Sequence, residues 1–175
     1  MNDSHTEWIS SRGPASVTTS VSRNPARDAR EVIHTYWASS GRYQLPVDPF
    51  QIASAMGIKV YTATLDAGTA GQLVKRAGQD PEIYLNQYDS EGRQRFTCAH
   101  EIGHYVIHAR EDGDEWEYVD RRDAASSTGT RSQEIYANQF AAALLMPAQA
   151  VRKYADDLSP VELAAKFDVS LEAMN

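Results

Sequence analysis

Three residues within five positions, His100, Glu101 and His104, form the pattern H-E-x-x-H, whose residue types and spacing suit metal-assisted hydrolysis. On an α-helix, residues four apart differ by about 40° in azimuth and about 6 Å along the axis, so the two imidazoles can converge on one ion. Glu101 sits about 100° around from His100. Its carboxylate then lies beside the ion and in reach of water, the place of a general base rather than a ligand. A bare five-residue pattern also arises by chance on amphipathic helices. Here Thr97, Cys98, Ile102, Gly103, Tyr105 and Val106 are all uncharged, which predicts a helix buried on both sides.

A catalytic zinc takes three protein ligands and keeps a position open for water. His108 is eight residues from His100, about 12 Å along a helix, too far to share an ion with bonds of about 2 Å, and it reads as a capping or boundary histidine. A metzincin would carry Gly and His where this chain has Ile107 and Arg110. The acidic residues between 111 and 123 are further donors, but in a segment with no predicted rigidity. Glu134 is the better choice: it falls in the first turn of an otherwise apolar helix, where a carboxylate needs the helix N-terminus or a cation. Asn138, one turn later, is placed either to hydrogen-bond a ligand or the peptide, or to satisfy local backbone. Tyr84, Tyr105 and Tyr136 are all candidates to stabilise an oxyanion, and the residues alone do not choose among them.

The elements that must position these side chains are legible in outline. Asn24-Pro25 opens a helix with Ala29, Val32, Ile33, Tyr36 and Trp37 at helical spacing, ending at Ser39-Ser40-Gly41; His34 on its polar side reads as a surface histidine. Asp48-Pro49 with Gln51 opens a short second helix that Gly57 stops. Residues 58–65, 70–75 and 82–86 are strand-like, with Gly78 to Pro81 as a turn, and predict a small antiparallel three-stranded sheet. Ile83 to Asn86 precedes the H-E-x-x-H helix. As a sheet edge facing the metal it would pair with an extended peptide, making Tyr84 and Asn86 candidate substrate-binding residues; the competing expectation is an ordinary core strand. Residues 109–129 have little internal pattern and are expected to form a lid or linker. Thr130 with Gln133, and Ser159 with Glu162, read as capping boxes of two further helices. Leu163 to Ser170 has the rhythm of a helix-turn-helix, but the segment after Ser170 brings no Arg or Lys, so packing helices are the expectation.

Composition bounds the partners. Residues 1–23, rich in Ser and Thr, are expected to form a flexible tail and residues 24–175 one domain. An excess of 24 acidic over 17 basic residues, net charge -7, argues against a nucleic-acid footprint. The lone Cys98 rules out an intrachain disulfide and fits a reducing cytoplasm. No apolar run is long enough for a signal peptide or membrane span, so a cytoplasmic protein is expected.

Two blocks in order, Arg95-Phe96-Thr97 into His100-Glu101-Ile102-Gly103-His104-Tyr105, and Glu134 to Ala141 into Leu144-Leu145-Met146-Pro147, resemble the ImmA/IrrE family of bacterial and phage zinc metallopeptidases. The resemblance runs from about residue 45 onward. It departs at Cys98, where an aliphatic residue is more usual, and in the early stop of the C-terminal helix. It implies an α+β, minimal gluzincin-like domain with His100, His104 and Glu134 on one Zn2+ and Glu101 as catalytic base; Mn2+ is an alternative ion for such a donor set. It further implies a protein substrate, a helix-turn-helix (Xre-type) repressor whose cleavage relieves repression of mobile-element or stress-response genes. The alternative is a zinc-containing anti-repressor that docks without hydrolysis.

Overall fold

A computed structural model describes residues 24–38, 44–108, 116–121 and 130–174. The expected tail, residues 1–23, lies outside the described residues, as does the expected helix end at Ser39 to Gly41. The fold is α+β: α1 (Pro25–Tyr36), α2 (Pro49–Ala55), β1 (Lys59–Ala63), β2 (Thr69–Lys75), β3 (Glu82–Asn86), α3 (Glu91–His108), β4 (Trp116–Arg121), α4 (Arg131–Leu145), α5 (Ala148–Tyr154), α6 (Pro160–Phe167) and α7 (Leu171–Met174). No helix among the described residues is long and apolar enough to cross a membrane.

Local chemistry starts the helices where the residues predict. The Asn24 side chain accepts from Arg27 N, Asp48 from Phe50 N and Gln51 N, and Thr130 and Ser159 both complete reciprocal capping boxes. Each satisfies backbone donors that the first turn of a helix leaves without intrahelical partners. Gly57 stops α2 in the left-handed region, φ 77°, where a Cβ would be strained.

The sheet departs from expectation in two ways. Its order is β1-β3-β2-β4, with β1 and β3 parallel and the other pairs antiparallel, so it is a four-stranded mixed sheet rather than a three-stranded antiparallel one. The β2–β3 hairpin is local and was predictable; the 64–68 turn instead crosses a gap into which β3 inserts beside β1. That choice is non-local and leaves no mark in strand periodicity. The fourth strand, β4, comes from the segment expected to be a lid or linker. Strand β3 is paired with β1 on one side and β2 on the other, so the expectation that it offers a free edge to a peptide is wrong. The outer strands are β1 and β4.

One face of the sheet carries the core. Leu73 and Ile83 are direct partners there, as are Gly71 and Leu85, and α3 covers them. Helix α3 is buried through most of its circumference, with Cys98, Ala99, Glu101 and Ile102 fully enclosed. Burial raises the Cys98 thiol far above its usual range, ahead of the neighbouring Glu101 charge, which makes it a small apolar filler rather than a reactive thiol. On its other side α3 meets α4, and α4 is backed by α1. The α1–α4 contact contains a buried polar link, Tyr136 Oη donating to Asp28 Oδ2 at 2.6 Å. Hydrogen bonds to charged groups contribute about 1.5–3 kcal/mol, so Tyr136→Phe should lower Tm by about 3–12 °C in a thermal melt. An unchanged Tm would show that the link contributes nothing net.

The chain's last helices form a satellite cluster of Ala150, Leu163 and Phe167. Arg95 ties it to α3: Nε lies 2.9 Å from Asp168 Oδ2 and Nη2 donates to Val47 O. Helices α6 and α7 thus pack, as expected, and α7 is a single turn.

Candidate metal centre

Helices α3 and α4 meet where His100 and His104 both reach Glu134, with His100 also facing Asn138. Glycine makes the approach close. A Cβ at Gly103 would lie 3.0 Å from Ala137 Cα and 3.2 Å from Phe140 Cδ1, so only hydrogen lets the two backbones meet at this level.

The imidazoles and the Glu134 carboxylate converge at that crossing. His100 Nε2 is 3.0 Å from His104 Nε2; His100 Nε2 lies 3.4 Å from Glu134 Oε2, and His104 Nε2 3.5 Å from Glu134 Oε1. A tetrahedral ion with bonds of 2.0–2.1 Å holds its donors about 3.3 Å apart. The three side chains are buried and their donor atoms match that spacing, so the residues fit a divalent ion. Burial by itself would raise the pKa of Glu134, but hydrogen bonds from His100 and His104 outweigh it and hold the carboxyl down at about 2. It is therefore ionised at neutral pH, as a ligand must be.

Asn138 fixes the ring that faces it. Its Oδ1 lies 3.1 Å from His100 Nδ1, a position that favours the metal-binding tautomer, in which Nδ1–H donates to the amide oxygen and the Nε2 lone pair faces the cluster. The ring of Phe96 lies beside His100, tilted by 37° with centroids 6.4 Å apart.

Glu101 is fully buried between α3 and β2. Gly71 makes the space, for a Cβ there would stand 2.9 Å from Glu101 Oε1 and 2.5 Å from Thr97 Cγ2. Strand periodicity does not single out Gly71, although a glycine inside a strand is itself a sign of close approach. Gly71→Ala should therefore cost about 1–3 kcal/mol of stability by overpacking. If Glu101 is the base, a shift of about 1 Å would also lower turnover about 100-fold, and a variant with parental melting and turnover would dismiss the cradle.

The remaining candidates lie elsewhere. Tyr84 points to the sheet face opposite α3, stacked on Tyr61 at 5.5 Å and donating to Glu82 at 2.8 Å, a bond that raises its pKa. Asn86 closes the turn after β3, donating to Thr69 O and accepting from Tyr88 N. Tyr105 lines a cleft between α1 and α3 with Tyr36 and Met56, and Tyr136 is bound to Asp28. None of these four is part of the convergent set. His108 is buried at the end of α3 and is also outside it. Of the acidic 111–123 stretch, Glu117 reaches Gln72 on the outer face; residues 111–115 and 122–123 lie outside the described residues.

Comparison with known proteins covers the same elements. Residues 53–175 match the family model Peptidase_M78, described as IrrE N-terminal-like domain. A relative, "Uncharacterized immunity region protein 2" of Bacillus phage phi105, is 28% identical over 134 residues, which is 70% of this chain and 80% of the relative.

Proposed function

Because this chain belongs to the Peptidase_M78 family, with an IrrE N-terminal-like domain, we propose that it is a zinc-dependent endopeptidase whose substrate is a helix-turn-helix (Xre-type) repressor. The observation that carries the reading is the convergence of His100 Nε2, His104 Nε2 and the Glu134 carboxylate at the spacing of one ion's ligands. The name of the phage relative, an immunity region protein, supports a repressor as substrate. The lone, buried Cys98 suits a reducing cytoplasm.

His100, His104 and Glu134 would hold the ion, and a divalent ion there supplies Lewis acidity, polarising a peptide carbonyl and lowering the pKa of water. Glu101, one residue along from His100, accepts the proton of the attacking water as oxygen bonds to the carbonyl carbon. It returns that proton to the amine nitrogen as the C–N bond breaks. Asn138 holds His100 in the tautomer that binds metal, and Gly71 leaves room for the Glu101 carboxylate.

The test is incubation of the purified protein with the Xre-type repressor of its own genetic neighbourhood. Defined fragments should form, stop on addition of a chelator, and resume when Zn2+ or Mn2+ is restored. An intact repressor held in a stable complex would instead identify an anti-repressor that docks without cutting. Cleavage indifferent to chelation would remove the metal from the mechanism.

A further inference from the structure

A second feature lies on the far side of α4 from the sheet, outside the metal centre. A groove of about 740 Å3 runs between α1 and the corner where α4 meets α5. Its floor is apolar, formed by Ile33, Ala142 and Met146, and its rim carries Arg30, His34 and Arg152. Asp and Glu are absent from the lining among the described residues. That is a local reversal of sign in a chain of net charge -7. Among the described residues none of the three rim groups takes part in an ion pair, and all three are exposed.

From this charge pattern we infer that the groove docks an amphipathic polypeptide segment whose apolar residues are flanked by carboxylates. Helix α1 lines the groove from Ala26 to His34, about 12 Å at helical rise, enough for two turns of a docked helix. Basic side chains stand on both walls, Arg30 and the imidazole of His34 on one and Arg152 on the other. An acyl chain brings a single carboxylate and would match one wall only, whereas a peptide presents carboxylates to both. Helix α1 precedes the region matched to the family model. The site goes beyond the peptidase reading and stands or falls apart from it.

The probe is a fluorescein-labelled synthetic peptide of about 14 residues, with Leu at i, i+3, i+4 and i+7 and Glu at the flanking positions, titrated with the full chain by anisotropy. A companion peptide carries Lys in place of Glu. The parent should bind the Glu peptide, and the double variant R30E/R152E should weaken it at least tenfold while keeping the parental Tm. The Lys peptide should show the reverse preference, binding the double variant better than the parent. Binding of the Glu peptide should also survive in Glu134→Ala, which separates the groove from the metal centre. Equal binding of both peptides, no binding, or binding unaffected by R30E/R152E would overturn the inference. Displacement of the peptide by equimolar oleate would assign the groove to an acyl chain and overturn it equally.

Discussion

Replacing Glu101 with Gln is expected to lower turnover by about 10²–10⁴-fold, the contribution of a positioned general base, while leaving metal content at the parental level. In free energy this is about 3–5 kcal/mol of transition-state stabilisation. The substitution suits the site because an amide has the carboxylate's shape and fits beside Gly71, so the fold is preserved while the proton acceptor is removed. Single-turnover cleavage with metal analysis on the same sample makes the measurement. Turnover equal to the parent's would remove Glu101 from the chemistry, and loss of metal along with activity would make it a ligand.

Glu134→Ala should do the opposite, abolishing metal retention and activity together. It removes the one anionic donor of the set and leaves two imidazoles whose Nε2 atoms are 3.0 Å apart. The effect should exceed the 10–100-fold loss of affinity expected for Asn138→Ala, which removes only the hydrogen bond that orients His100. A thermal melt gives an independent measure. A ligand present at 100 times its Kd stabilises the folded state by about 2.7 kcal/mol, so Zn2+ should raise the parent's Tm by about 5–10 °C and leave Glu134→Ala unmoved. Full metal retention in Glu134→Ala would transfer the third ligand to the acidic stretch between 111 and 123.

These two variants probe a site assembled from two helices about thirty residues apart, and its parts differ in how far the chain itself announces them. The His100-Glu101-His104 spacing is a property of one helix, so the pairing of the imidazoles follows from 3.6 residues per turn without any knowledge of the fold. The caps at Asn24, Asp48, Thr130 and Ser159 are equally local, and all four form as read. Glu134 is intermediate. A carboxylate at the start of an apolar helix signals that a partner is needed, but only packing says which one, and Gly103 is what lets α4 come close enough to answer.

Tertiary structure alone decided the rest. Nothing in the periodicity of β1, β2 and β3 reveals that β3 inserts between the other two, because strand order is set by which faces bury the most apolar surface, a sum over the whole domain. The same is true of β4, whose backbone pairs with β2 from within a stretch of charged residues. Tyr84, Tyr105 and Tyr136 are indistinguishable as phenols, and the fold separates them onto the outer sheet face, the α1–α3 cleft and the buried Asp28. Local spacing thus determined the chemistry this chain can attempt, since a helix fixes its own geometry. Where that chemistry is held, and what surrounds it, depended on contacts between residues far apart in sequence, which only the folded chain brings together.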